Sequence, residues 1–356
     1  MQSVRALIVT AVFFAVAGIA SAAAPQPTTI VHVPAPVRAL AQDNGMLAWL
    51  AGDGKKCNVI HLTGNGHTYV LPQPSNTSMT CHWALSNGVV HLAIAADAAS
   101  ALWTLHERRL DFVMSAQIAG KEVEVDRLAH TAGTGSWLGG ITGGGTTLAY
   151  SWVDVEYVDP LSCGSGGSCK KKIAGGGINL VTAGQKTPLP KAGHALGLAV
   201  NDGRIAYIRA TTVTNDGTPK SSSGTKVPVE DASDGTIISQ AKAVGVPLAV
   251  GLSAHVLAIL SRDGHFLKLS WYDPATGKKL GGVGVPIQTA PALAVSDQSV
   301  VYRVGRNLRA LVLATRHSHP LGQTAASYLG LSLDQGRLVW AENRNTSGLI
   351  RALTVR

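Results

Sequence analysis

Charge is scarce along this chain: 14% of its 356 residues are Asp, Glu, Lys or Arg, against 46% apolar. That balance excludes a disordered polypeptide, which needs many charges and few core-forming side chains. Phenylalanine occurs only four times, whereas glycine occurs 40 times, a composition suited to many short strands joined by tight turns. Long apolar runs are missing after the N-terminal stretch, so no later segment can cross a bilayer as a helix. Several motifs are missing as well. There is no H-E-x-x-H, no G-x-S-x-G, no P-loop and no G-x-G-x-x-G after a strand. No catalytic residue, metal-ligand set or cofactor is assigned from sequence. Aromatics do not interleave with the lysines, which argues against nucleic acid as a partner.

What is present begins with an export signal. Met1 to Ala22 has a short n-region with one positive charge (Arg5), an apolar stretch from Ala6 to Ala20, and an Ala20-Ser21-Ala22 cleavage signature. The expected products are a cleaved leader, residues 1–22, and one domain over 23–356, secreted to the exterior or the periplasm. No Cys follows the cleavage region, which argues against a lipoprotein anchor. Four cysteines fit an oxidising compartment. Of the three ways to pair them, Cys57 with Cys81 and Cys163 with Cys169 keeps both bridges local. A Cys-x5-Cys metal site is the rival reading, weakened by the want of a second ligand pair.

The informative signal is an internal repeat. LAQDNGMLAW from Leu40, LAVNDGRIAY from Leu198 and LSLDQGRLVW from Leu331 share an apolar start, a Gly, an apolar residue and an aromatic at fixed offsets. Variants start at Trp83, Ile141, Ala249 and Leu293, making seven units. Physically the unit is a β-hairpin: alternating apolar residues form a strand, Asp/Asn-Gly supplies a positive-φ turn, and a second run returns. The spacing leaves room for two more strands per unit, at roughly the 40–50-residue period of a four-stranded propeller blade. In the fifth unit these are HFLKLSWY and KKLGGVGV, joined by a turn in which Pro274 fixes φ and Gly277 permits reversal. Lys121 to Leu128 alternates strictly, with Glu122, Glu124 and Asp126 on one face, as an outermost, half-wet strand should. The stretch after Leu331 holds three strands rather than four. The missing strand is supplied by Thr28 to Val33, closing a ring and removing an exposed edge. The expected fold is therefore all-β, a closed seven-bladed β-propeller whose N-terminal strand completes the last blade.

The hairpin LAVNDGRIAY and the turn YDPATGKKL resemble the repeats of TolB-like and related WD40-like propellers of secreted bacterial proteins. The resemblance spans most of the chain after the leader and implies architecture only. Such families include binding proteins, assembly-complex components, lyases and hydrolases, and no catalytic motif of theirs has a match here.

Two connections are conspicuously long, Asp159 to Gly177 and Thr211 to Gly235. Both follow the second strand of a hairpin, so both are expected on the same face of adjacent blades. Lys170, Lys171 and Lys172 in the first form a candidate binding patch for an anionic envelope polymer or a protein. His317 and His319 share a strand face as a candidate metal pair. Asp154 and Glu156 are a same-face carboxylate pair. The innermost strand segments carry almost no His, Asp or Glu, which favours a binding scaffold over an enzyme; a monomer is the expected state. The alternative is a lyase or hydrolase acting on a polysaccharide or lactone.

Overall fold

The computed structural model describes residues 26–355 apart from 54–55, 65, 72–90, 108, 119, 132, 160–168, 287–291 and 324–326. The leader, Cys81, Cys163 and the expected Asn87–Gly88 turn lie outside the described residues. Among those described, every regular element is a β-strand, and no helix is long and apolar enough to cross a membrane.

The chain opens with β1 (Thr28–Val33). Blade 1 follows as β2 (Val37–Asp43), β3 (Met46–Asp53), β4 (Lys56–Gly64) and β5 (His67–Leu71). Blade 2 is β6 (Leu92–Ala95), β7 (Ser100–Glu107), β8 (Leu110–Gln117) and β9 (Val123–Ala129). Blade 3 is β10 (Gly135–Gly144), β11 (Thr147–Tyr157), β12 (Lys171–Thr182) and β13 (Gln185–Pro188). Blade 4 comprises β14 (Ala195–Asn201), β15 (Arg204–Arg209), β18 (Lys226–Asp231) and β19 (Ile237–Lys242), interrupted by a ribbon of β16 (Thr212–Val213) and β17 (Pro219–Lys220). Blade 5 is β20 (Val246–Leu252), β21 (Leu257–Asp263), β22 (Phe266–Tyr272) and β23 (Lys279–Val285). Blade 6 is β24 (Leu293–Val295), β25 (Ser299–Val304), β26 (Asn307–Val312) and β27 (His317–Gln323). Blade 7 joins β28 (Ser327–Asp334), β29 (Arg337–Asn343) and β30 (Gly348–Thr354) to β1.

Seven antiparallel four-stranded sheets thus form the ring, and β1 is the outer strand of the last. Its register runs from Thr28 opposite Ala352 to Val33 opposite Gly348. The Arg351 guanidinium reinforces it by donating to Thr29 Oγ1 at 2.8 Å.

The repeat maps onto the first two strands of each blade. Its apolar start and its aromatic are cross-strand partners: Leu40 with Trp49, Ile141 with Tyr150, Leu198 with Tyr207, Leu293 with Tyr302 and Leu331 with Trp340. Asn44–Gly45, Asp202–Gly203 and Gln335–Gly336 all have both residues at positive φ. This is the turn whose twist matches that of the flanking strands.

Two units differ from the sequence pattern. In blade 2 the hairpin turns after Ala95, which pairs with Ser100, so the unit starts downstream of Trp83. In blade 5 a bulge falls between Pro247 and Ala249, and the turn is Ala254–His255 without glycine. The same kind of bulge recurs in the innermost strands of blades 1, 3, 4 and 7, bending each strand around the channel.

Burial peaks in the second strands. The innermost strands β10 and β14 are mostly half-exposed, while β11 and β15 are buried over most of their length. The innermost strands line a channel and cannot be covered on both sides. Each blade–blade contact has its own apolar cluster. Leu50 and Leu62 of blade 1 meet Trp103 and Phe112 of blade 2, and Val339 and Ile350 of blade 7 meet Leu47 and Trp49 of blade 1. Comparable clusters join the other five neighbouring pairs. The hydrophobic core is therefore annular.

Candidate functional site

The ring has two ends. One is formed by the turns between first and second strands. The other is formed by connections from second to third strands and from each blade to the next.

At the first end the channel opens into a cavity of about 890 Å³ whose lining includes Asp43, Asp202, Asp297 and Asp334. Sequence reasoning assigned the turn aspartates to local geometry alone and did not anticipate their convergence here. Several of them tie one blade to another. Asp43 Oδ2 accepts from the backbone N–H of Ala96 at 2.7 Å and of Gly145 at 2.9 Å, in blades 2 and 3. Asp297 accepts from His255 N at 2.8 Å, and Asp334 from Gly45 N at 3.4 Å. Asn44 donates to Asp97 at 3.1 Å. Burial pushes the Asp43 carboxyl above its ordinary range. The two N–H groups pull it back, while Asp334 and Asp97 push it further up.

The other end is where the two long connections meet. They are shorter than the pattern implied: β12 begins at Lys171, so the first ends at Lys170, and the second contains both the β16–β17 ribbon and the third strand of blade 4. The start of β12 touches the second connection through Lys171, whose Nζ donates to the backbone oxygen of Asn215 at 2.5 Å. A Cβ at Gly217 would collide with the backbone of Gly133, so the connection between blades 2 and 3 also joins this lip. Beneath it lies a satellite cluster of Val153, Val155 and Ala210 with Trp137, Ile173 and Val213.

The lysine triplet is not a uniform patch. Lys170 is exposed, Lys171 braces the ribbon, and Lys172 pairs with Glu156 at 3.0 Å across β11 and β12. Asp154 accepts from Ser136 Oγ at 2.5 Å, so the two carboxylates of the Asp154/Glu156 pair have separate partners. His317 and His319 are both exposed on the outer strand β27, opposite Val312 and Ala310. Of the four cysteines, only the Cys169 side chain belongs to the described residues.

Beside the lip is a group the sequence did not reveal. His106 near the end of β7 and Asp111 at the start of β8 are cross-strand partners flanking one turn, with Nδ1 and Oδ1 2.6 Å apart. His130, just past β9, is held by a bridge to Gly135 and by its N–H to Arg109 O at 2.9 Å. Its ring stacks on Trp137 at 4.1 Å and lies 5.9 Å from that of His106. Burial lowers the His130 pKa; Asp111 opposes this, and the neighbouring His106 and Arg109 add to it. The only local signal was the pair of polar residues flanking a turn; the third member comes from another connection.

A seven-bladed β-propeller closed by its N-terminal strand is the class this architecture defines. No known protein-family model matches the chain, and neither does any curated protein sequence. Solved structures resemble it at the level of fold. The Myceliophteria thermophila Cps50 (Swd1) β-propeller domain aligns with TM-score 0.52 and 10% identity over 93% of this chain and all of that one. A chain of a mitotic checkpoint complex aligns with TM-score 0.55 and 13% identity over 100% of this chain and 99% of that one.

Proposed function

We propose that the protein is a non-enzymatic binding scaffold of the extracellular space or cell envelope, and that the lip beside blades 2, 3 and 4 engages its partner. The observation that carries this reading is the meeting, among the described residues, of segments from three consecutive blades on one face, with its own apolar underlayer and the Lys171–Asn215 brace. Ordering loops costs conformational entropy, and connections this long in a compact fold are often functional. The export signature Met1–Ala22, the local cysteine pairs and the resemblance to TolB-like repeats support the compartment. Asp43, Asp297 and Asp334 at the opposite mouth are occupied in joining blades, which favours binding over hydrolysis or elimination.

Lys170 and Lys172 give the lip its character, and an anionic envelope polymer is the partner class they fit. Replacing both with Ala, while keeping Lys171 as the brace, should weaken retention on cell-wall polymer at low salt. Added salt should erase the difference, because exposed charges are screened beyond about 8 Å at physiological ionic strength. Stability should change by no more than about 0.5 kcal/mol. Equal retention of wild type and variant at low salt would reject the polymer.

A further inference from the structure

We infer that His106, Asp111 and His130 form a binding site for a divalent transition metal of the zinc class, on the lip face between blades 2 and 3. One ligand atom from each residue lies within 4.8 Å of the other two, and among the described residues this is the one group of three or more potential donors so placed. Two imidazoles and a carboxylate are a donor set that suits Zn²⁺ and disfavours the hard cations Mg²⁺ and Ca²⁺, which take oxygen.

The three donors arrive already oriented. His106 and Asp111 face one another across adjacent strands of a rigid sheet, so their separation is fixed by the ladder. His130 is fixed at its backbone by Arg109 and Gly135, and at its ring by Trp137. Trp137 in turn packs in the apolar layer under the lip. All three residues are partly buried, neither sealed from solvent nor fully hydrated.

The short contact between His106 Nδ1 and Asp111 Oδ1 has a direct reading. The two atoms already converge on one point, and a bound metal would replace their hydrogen bond. Ligand atoms at about 2.1 Å in a tetrahedron are about 3.4 Å apart. The 2.6 Å pair must therefore open slightly and His130 close in, adjustments within reach of side-chain rotation. Arg109, whose backbone oxygen accepts from His130 N–H, is the cation the site must tolerate. Three protein donors leave a fourth position for water or for a donor from a partner. Such a site would join metal to the same face as the lip, yet it stands independently of the identity of any polymer.

The test uses the full chain without an affinity tag, oxidised, and stripped with a chelator. Isothermal titration with Zn²⁺ should give one equivalent per chain with Kd in the micromolar range or tighter, and equilibrium dialysis with elemental analysis should confirm the stoichiometry. Co²⁺ in its place should give the visible absorption of a four-coordinate ion. Asp111→Asn and His130→Gln should each weaken Zn²⁺ by at least about 10-fold, while a His317→Ala, His319→Ala double variant binds as wild type. Absence of one Zn²⁺ equivalent on the folded wild-type chain overturns the inference whatever the variants do. Stoichiometric binding that survives in both folded site variants overturns it too.

Discussion

Glu122, just before β9, has a buried Oε2 with no hydrogen-bond partner, and burial pushes its carboxyl up to about 8. In the unfolded chain the same group ionises near 4.5. Between those values raising the pH takes a proton from the unfolded state only, so stability falls across this window and levels off above it. Glu122→Gln removes the penalty. The variant should exceed wild type by about 1–2 kcal/mol at pH 8.5, less than the full shift implies because the residue is half-buried and screened. At pH 4 the two should coincide. Urea melts at both values check this, and equal midpoints at pH 8.5 would contradict it. The strict alternation of Lys121–Leu128 placed this residue on a wet face. A bulge between Glu124 and Asp126 breaks the alternation and lets Asp126 reach the next blade, where Tyr150 OH donates to it at 2.5 Å and Lys186 pairs with it at 2.6 Å. Burial alone would raise the Asp126 carboxyl; those two partners outweigh it and hold it below its usual range. A bulge has no reliable signature in one sequence. Nor do the partners of the repeat's buried aromatics, such as Glu230, which accepts from Tyr207 OH at 2.7 Å. The aromatic position was legible, its distant partner was not.

At the scale of elements, β1 is the piece on which closure depends. Deleting Thr28–Val33 strips the outer strand from blade 7, removes its ladder to β30 and uncovers Ile350 and Ala352. The expected loss is several kcal/mol, from about six ladder residues and their apolar face. A thermal melt decides it: an unchanged midpoint would mean the blade holds with three strands. This strand was readable because the arithmetic of strands per unit leaves the last blade one short. The hairpins of blades 1, 4 and 7 were readable because Asn-Gly, Asp-Gly and Gln-Gly occupy turns with two positive-φ residues. Blades 2 and 5 turn through Asp97–Ala98 and Ala254–His255, residues without that constraint, and their registers were misplaced accordingly. The extent of the lip connections was overestimated for a related reason. Lys171–Gly177 and Lys226–Asp231 are rich in Lys, Gly and polar residues, yet they are paired strands.

Over the whole molecule the ring is closed by the hydrogen-bond ladder between β1 and β30. Cys57 lies on β4 and Cys169 at the foot of β12, in blades 1 and 3, and the expected pairs Cys57–Cys81 and Cys163–Cys169 each staple a local segment without crossing the ring's seam. Peptide mapping of the protein under non-reducing conditions should recover both pairs. Reduction should lower the melting midpoint while the β-sheet circular dichroism persists at 25 °C. Four free thiols would defeat both the pairing and the oxidising compartment. The seam at blade 7 depends instead on β1, helped by Val37 and Asn343, which exchange two hydrogen bonds.

That seam also sets a timetable. Strand β1 is partnered by β30, the first described strand by the last, so at about 5–20 residues per second β1 waits on the order of tens of seconds before its mate leaves the ribosome. No nascent form of this chain can hold a finished circle, however many blades have already formed. A pause, a truncation or a premature stop ahead of β30 would leave β1 and β29 each with an unpaired edge, and those two edges are the place for a holding chaperone to act.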